Sequence, residues 1–573
     1  MNDIRRTILW VIFGFSMVLL WDQWQVHNGN KATFFPSTPT PTVTTPAAGP
    51  GAGNGVPSPV ATPGAAAAPG TAAVPGTAAV PPVAAAAAAS EKITVDTDVL
   101  RVTFDTEGGS VVRVELLKHA NATGADKNPT PFVLMEQSAN SVYVAQTGVI
   151  GGDFPNHKTV MAFSGERALK EGSNDLVVRF ESPVQGGVKL VKTYTFKRGA
   201  YDVGVAHEVI NQGSAPVSPQ IYMQLVRGAA TSGGSFITNP TGTFTGPAVY
   251  TEAEKYQKVE FSALDKNKAE FQKEASEGWV AMVQHYFASA WILPQGVKRE
   301  NFMRKLENNL YSVGMIAPLQ PVAPGASQVV NATLFAGPQE ENLLERVAPG
   351  LDLVKDYGIF TILSKPLYWL LDKIHSVLGN WGWSIMGLVL VIKIAFYWLQ
   401  AKGYESMAKM KAINPKVMAM RERHKGNPQQ MQQEMMRIYR EEKVNPMGGC
   451  LPIMVQIPVF IALYWVLLSS VEMRNAPWIG WIRDLSSPDP FYILPVVMAL
   501  TTLLQTALNP QPPDPMQAKL MWFMPLAFSV MFFFFPAGLV LYWITNNVLS
   551  IAQQWVINTR MGVPPQFNLP KFS

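Results

Sequence analysis

The sequence predicts a membrane protein of six transmembrane helices that carries a large all-β sandwich domain outside the bilayer. Three observations carry the prediction. Six apolar stretches, one near the start and five after residue 380, approach the ~17 to 25 residues needed to cross a hydrocarbon layer. Between Glu91 and about Gln339, apolar and polar residues alternate with period two. Basic residues gather in alternate loops of the apolar half, which fixes one orientation.

The composition agrees with this division. Of 573 residues 48% are hydrophobic and only 15% charged, a balance suited to several spans plus a soluble part rather than a cytosolic enzyme. The single cysteine, Cys450, excludes an intramolecular disulfide and a cysteine-based metal site. The seven histidines are scattered without metal-ligand spacing, so no cofactor, metal or catalytic residue is expected.

Residues 1–24 read as an uncleaved anchor. Arg5 and Arg6 precede an apolar run from Ile8 to Leu20, and Trp21-Asp22-Gln23-Trp24 stands where a cleaved signal would carry small residues. A removed signal peptide is the alternative. Residues 25–90 form a linker, since Pro36 to Ser90 is almost entirely Pro, Ala, Thr, Gly and Val and cannot bury a core. Residues 91–340 form the β-domain. Leu100 to Asp105, Val111 to Leu117, Asp175 to Phe180, Val188 to Phe196 and Tyr201 to Ile210 alternate as strands, and Glu107-Gly108-Gly109 supplies a turn. Residues 351–378 mix leucines with Asp352, Lys355, Asp356, Lys365, Asp372 and Lys373, with Tyr368 and Trp369 as belt residues. An amphipathic helix in the membrane interface fits this mixture, the alternative being a core helix of the β-domain.

Residues 379–558 hold the other five spans: Trp383–Leu399, Cys450–Ser470, Phe491–Leu508, Leu520–Phe535 and Gly538–Ile557. A basic segment, 401–446, separates the first two of these and reads as a helical hairpin turning at Gly426-Asn427-Pro428. With that hairpin and the tail 559–573 in the cytosol, both termini are cytosolic and the β-domain is periplasmic.

This orientation gives each intramembrane polar residue a depth. Lys393, Gln456, Thr501, Thr502, Gln505, Thr545, Asn546, Asn547, Ser550, Gln553 and Gln554 all fall toward the cytosolic side, whereas Phe532 to Phe535 occupy the external half. A channel or small-solute transporter needs polar lining through the full depth or a midplane site. One-sided polarity instead predicts a wet cavity open to the cytosol and closed halfway. The polar flank of a passenger chain enters such a cavity without full desolvation while its apolar stretch slides into lipid. A membrane-anchored binding scaffold is the other alternative, although five spans with one-sided polarity exceed what an anchor requires.

Lys393 is the sharpest feature, because a charge near a span's centre costs about 2.5 to 3.5 kcal/mol and therefore faces a cavity or a partner. No acid lies within the spans, so its ammonium stands ready for acidic residues of a passenger; snorkelling to the headgroups is the alternative. In the hairpin, Met407 and Met410 on one arm and Met431 and Met435 on the other suit adaptable contacts with apolar chains, or packing between the arms. The surplus of basic residues suits anionic lipid or ribosomal RNA, or is a plain topology signal.

Several segments resemble the bacterial YidC membrane protein insertases, of the family that also contains the Oxa-type and Alb-type insertases. They include Gly379-Asn380-Trp381-Gly382, Ser406 to Met410, Asn445 to Pro452, Gln456 to Phe460, Asp484-Leu485-Ser486, Asp489 to Pro495, Asp514 to Gln517 and Pro536 to Trp543. The resemblance implies a five-helix insertase core with a hydrophilic groove, a periplasmic β-supersandwich, and a folding-chaperone role alone or beside the Sec translocon (SecYEG, SecDF). It implies as partners nascent membrane proteins, the ribosome and the phospholipid bilayer, and no small-molecule substrate. By the same resemblance the groove takes in Tyr542 and Trp543, the latter where many relatives carry a second tyrosine. The family's groove arginine falls at Lys393, which keeps the charge and loses the planar fork.

Overall fold

The computed structural model describes residues 55–58, 90–121, 130–229, 243–424, 426–442, 451–509, 515–560, 562 and 567. The anchor expected at 1–24, most of the linker and most of the tail lie outside these residues.

The alternating stretches become strands because each buries every second side chain. Residues 175–181 and 202–211 keep the alternation throughout, while adjacent buried residues interrupt it in 188–197. The strands form two antiparallel sheets of nine strands each. The first runs, edge to edge, through 92–96, 100–105, 110–120, 131–137, 142–150, 220–228, 310–318, 299–305 and 274–275. The second runs through 255–258, 246–251, 279–283, 287–292, 327–338, 202–211, 188–197, 175–181 and 162–165. Their facing sides enclose one core in which Trp279, Trp291, Tyr194, Phe104, Phe180 and Phe196 are almost fully buried. The turn at Glu107-Gly108-Gly109 needs glycine at Gly108, where φ is +75° and a Cβ would come within 2.5 Å of the His157 backbone.

Ten α-helices accompany the sheets among the described residues. In chain order they are α1 (Phe261–Asp265), α2 (Glu341–Val347), α3 (Thr361–Leu378), α4 (Trp381–Ala395), α5 (Tyr397–Arg423), α6 (Pro428–Glu441), α7 (Leu451–Ser469), α8 (Ile493–Leu508), α9 (Pro515–Met531) and α10 (Ala537–Arg560). Gly379, left-handed at φ +66°, ends α3, and the Asn380 side chain accepts from the Trp383 N–H to start α4. Helices α3, α4, α7, α8 and α10 share a second core that includes Leu371, Leu388, Leu463, Met498 and Val540.

The run Trp383–Leu399 is two pieces rather than one, with α4 and the start of α5 bent by 68° at Phe396. Among the described residues no single helix is long and apolar enough to cross a membrane, but this bent pair meets both criteria together. Helices α8 and α9 are 16 and 17 residues long, and α10, at 24, is interrupted by Asn546, Asn547, Gln553 and Gln554. Yet the helices expose Leu390, Ile394, Trp398, Ile457, Val496, Leu500, Phe523, Met524, Val530 and Val556, an apolar surface that water would not tolerate.

The helices meet the β-domain through the end of α7 and the loop 470–492. His285 Nε2 donates to the Leu468 carbonyl at 2.9 Å, and Arg474 donates to the Asn121 carbonyl at 3.1 Å. Buried Lys355 lies 3.8 Å from the Tyr368 ring centroid and 3.6 Å from Glu472, whose other oxygen accepts from Tyr368 Oη at 2.5 Å. The Asp484 and Asp489 motifs organise this loop. Asp484 accepts from the Asn475 and Ser486 N–H groups, and Asp489 accepts from the Leu494 N–H at the start of α8.

Candidate functional site

Helices α4, α5, α7 and α10 line a small, partly open cavity of about 20 Å³. Its polar lining is Lys393, Gln400, Gln456, Tyr542 and Asn546, and its apolar lining is Val389, Ile392, Phe396, Leu399 and Val459. Across the bend, residues 389, 392, 393, 396 and 400 keep the spacing of one helical face. The bend at Phe396 carries that face around the cavity rather than straight past it.

Lys393 is 4% exposed. Its Nζ donates to Ser550 Oγ at 2.7 Å, and Ser550 Oγ donates in turn to the Asn546 carbonyl at 2.7 Å. Across the cavity, Gln456 Nε2 donates to Asn546 Oδ1 at 2.9 Å. No carboxylate among the described residues lies within ion-pair distance of Lys393, so its charge is held by a hydroxyl alone. Gln400 is 7% exposed and its Oε1 has no hydrogen-bond partner, which leaves an acceptor as well as a cation at the cavity.

The cavity's depth follows from helix geometry. Asn380 donates to the Pro477 carbonyl, and the Ala537 and Gly538 N–H groups donate to the Ser487 and Leu485 carbonyls, so α4 and α10 both begin at the loop beside the β-domain. Helix α7 ends there. From that end Lys393, Gln456 and Asn546 lie ~18, ~20 and ~14 Å along their helices at ~1.5 Å per residue. Half of a ~30 Å hydrocarbon layer is about 15 Å. Between cavity and β-domain stand Ile385, Leu388, Leu463, Val466, Phe535 and Leu539, all buried.

The structure thus brings together Lys393, Gln456, Tyr542 and Asn546. The other expected groove residues lie elsewhere. Thr501 and Thr502 accept from Asn547 Nδ2 at 3.2 and 2.9 Å, a hydrogen-bonded seam between α8 and α10. Gln505 is half-buried on α8 and does not line the cavity. Trp543 packs edge-on against Phe460 at 4.7 Å and beside Phe532 at 5.0 Å, next to the cavity rather than in its wall. In the hairpin Met410 packs between the arms with Ile413, Val417, Ile438 and Tyr439, whereas Met407, Met431 and Met435 are half-buried. Gln400 was missed because it follows the apolar run, yet its place seven residues after Lys393 was a readable signal. Among the described residues no cluster of His, Cys, Asp and Glu could hold a metal ion.

The family model described as YidC periplasmic domain matches residues 92–370, and that described as 60Kd inner membrane protein matches residues 373–563. The membrane protein insertase YidC of Ralstonia nicotianae is 57% identical over 562 residues, 98% of each chain. That of Cupriavidus necator is 55% identical over 563 residues, again 98% of each. A crystal structure titled active YidC insertase with the first transmembrane domain resolved aligns over 81% of this chain and 92% of its own, at 18% identity and a TM-score of 0.37.

Proposed function

Because the chain belongs to the YidC family of membrane protein insertases, we propose that it moves nascent transmembrane segments from the cytosol into lipid through the half-depth cavity around Lys393. The protein is an inner-membrane insertase with a periplasmic β-sandwich domain, not an enzyme. The observation that carries the mechanism is the meeting of Lys393, Gln456 and Asn546, from three helices, ~14 to 20 Å along those helices with apolar packing on the β-domain side.

In this reading α4 (with the start of α5), α7, α8, α9 and α10 cross the bilayer, and residues 1–24 supply a sixth span. The exposed apolar side chains of these helices support it. Helix α3 lies along the outer interface, supported by exposed Ile362, Trp369 and Val377 beside Lys365, Asp372 and Lys373. The basic hairpin α5–α6 then faces the cytosol with both termini, where its charge suits ribosomal RNA and anionic headgroups. The Sec translocon is assigned as a lateral partner on family membership.

A client enters polar flank first. Its carbonyls and carboxylates exchange hydration water for the Lys393 ammonium and the amides of Gln456 and Asn546, so the flank is not stranded in hydrocarbon. Its apolar stretch partitions into lipid at ~1.5 to 3 kcal/mol per large side chain, which supplies the driving force without hydrolysis. Reconstitution of the purified chain into liposomes with a nascent single-span client tests this. Protease protection of the client in the absence of nucleotide is expected. Protection no greater than in protein-free liposomes would contradict it.

A further inference from the structure

Four linker residues, Gly55 to Ser58, have a defined place on the outer face of the first sheet, opposite the face that packs on the second sheet. Along strand 220–228, Ile221, Met223 and Leu225 point into the main core, so Tyr222 and Gln224 point outward. The outward set also includes Ile150, Phe302, Arg304 and Ile316, and Val56 packs against its apolar members. Pro57 is buried.

Polar groups hold the same segment by its backbone. Arg304 Nη2 donates to the Gly55 carbonyl at 2.9 Å and its Nη1 to the Val56 carbonyl at 3.4 Å. Gln224, 0% exposed, donates its Nε2 to the Gly55 carbonyl at 3.0 Å. No carboxylate among the described residues pairs with Arg304, so the linker carbonyls and Ser312 Oγ receive its hydrogen bonds. A half-buried guanidinium with backbone carbonyls as acceptors is a built recognition site for extended chain.

We propose that this groove is a docking site for the chain's own linker, specific for Gly55-Val56-Pro57, and that it tethers the N-terminal segment to the β-domain. Two further Val-Pro steps, Val74-Pro75 and Val80-Pro81, occur in the linker, each preceded by alanine. Gly55 has φ +67°, a conformation that an L side chain adopts only with strain. The backbone therefore selects the first copy and rejects the other two. Docking divides the linker, so residues 25–54 rather than 25–90 set how far the N-terminal segment reaches. For a flexible chain, whose reach scales as the square root of length, this shortens the mean distance by about a third. The tether limits how far the segment 1–24 can reach from the docking groove.

A nitroxide at Ser58→Cys, in full-length chain carrying Cys450→Ser and placed in lipid nanodiscs, reads the docking directly, because Ser58 is exposed. An immobilised spectrum is expected in this parent. Val56→Asp and Gly55→Ala, which leave the sheet untouched, shorten the label's correlation time several-fold, and Arg304→Ala does the same from the groove side. Lys305→Ala, one residue along with its side chain on Asp265, leaves the spectrum unchanged. A parent label as mobile as in Val56→Asp, or a spectrum indifferent to all three substitutions, would overturn the proposal.

Discussion

At the residue scale, Lys393 combines a deep position with a weak partner. Its ammonium has one hydroxyl acceptor, Ser550, in a wall that otherwise includes Val389, Ile392 and Phe396. An ammonium held by neutral oxygen keeps most of its attraction for a carboxylate, which is the basis of the proposed entry of a client's acidic flank. Lys393→Arg is expected to preserve insertion, and Lys393→Ala to slow it about three- to tenfold for clients with acidic flanks, equivalent to roughly 0.7 to 1.4 kcal/mol. Protease-protected client in liposomes measures both, and equal rates for Lys393→Ala and the parent on every such client would remove the residue's role. Lys393 was legible in the sequence because a lone charge in an apolar run is rare. Its partner was not, since Ser550 is one of several polar residues on α10 and only the packing selects it. Trp543, by contrast, follows Tyr542 directly and so projects about 100° around the helix, away from the cavity wall.

At the element scale, the β-domain carries a set of histidines held neutral by burial. Burial pushes His157 and His207 down to about 3, and His119 and His285 down to about 4; the nearby Lys192 charge adds to the effect at His157 and His207. In the unfolded chain these groups protonate near ~6.5, so between that pH and 3–4 the unfolded state binds more protons. Their neutral burial is fully tolerated above pH ~6.5, and stability falls as the pH drops below it, by up to ~1.4 kcal/mol per pH unit for each histidine. The thermal midpoint of the β-domain in the full-length chain should therefore fall between pH 6.5 and 4.5, and His207→Gln should flatten the slope. A midpoint constant over that range would contradict this. The strands were legible from their period, yet the buried polar groups show what period alone conceals. Lys192 falls in phase with Leu190, Tyr194 and Phe196 on an inward-facing row, and is tolerated because Gly108 and Thr147 carbonyls accept from its Nζ at 2.6 and 2.7 Å. A lysine in an inward phase is a detectable signal, but its acceptors come from distant strands that the sequence does not align. In the same way the apolar run Trp383–Leu399 announces a helix without announcing the bend at Phe396.

At the scale of the whole molecule, the proposed mechanism rests on where polarity stops. The loop 470–492 joins the β-domain to the starts of α4, α8 and α10, so distances along those helices share one origin. From that origin apolar packing dominates the first part of the bundle, Tyr542 lies ~8 Å along α10, and the lysine and amide groups of the cavity meet ~14 to 20 Å along their helices. That the polar residues gather toward one end of the bundle was readable from sequence, since the basic loops predict at which end each span starts. The split of the polar residues into a cavity set and the α8–α10 seam was not, because Asn546 and Asn547 are neighbours that face different helices. The most direct test is thiol accessibility in oriented membranes, with single cysteines in a Cys450→Ser background and a membrane-impermeant maleimide. Thiols at Gln400, Gln456 and Asn546 are expected to react from the cytosolic side only, while thiols at Ile385, Leu463 and Leu539 react from neither. Unreactive thiols at the first three positions, showing a dry bundle, or reactive thiols at all six, showing a continuous pore, would contradict a cavity that ends at half depth.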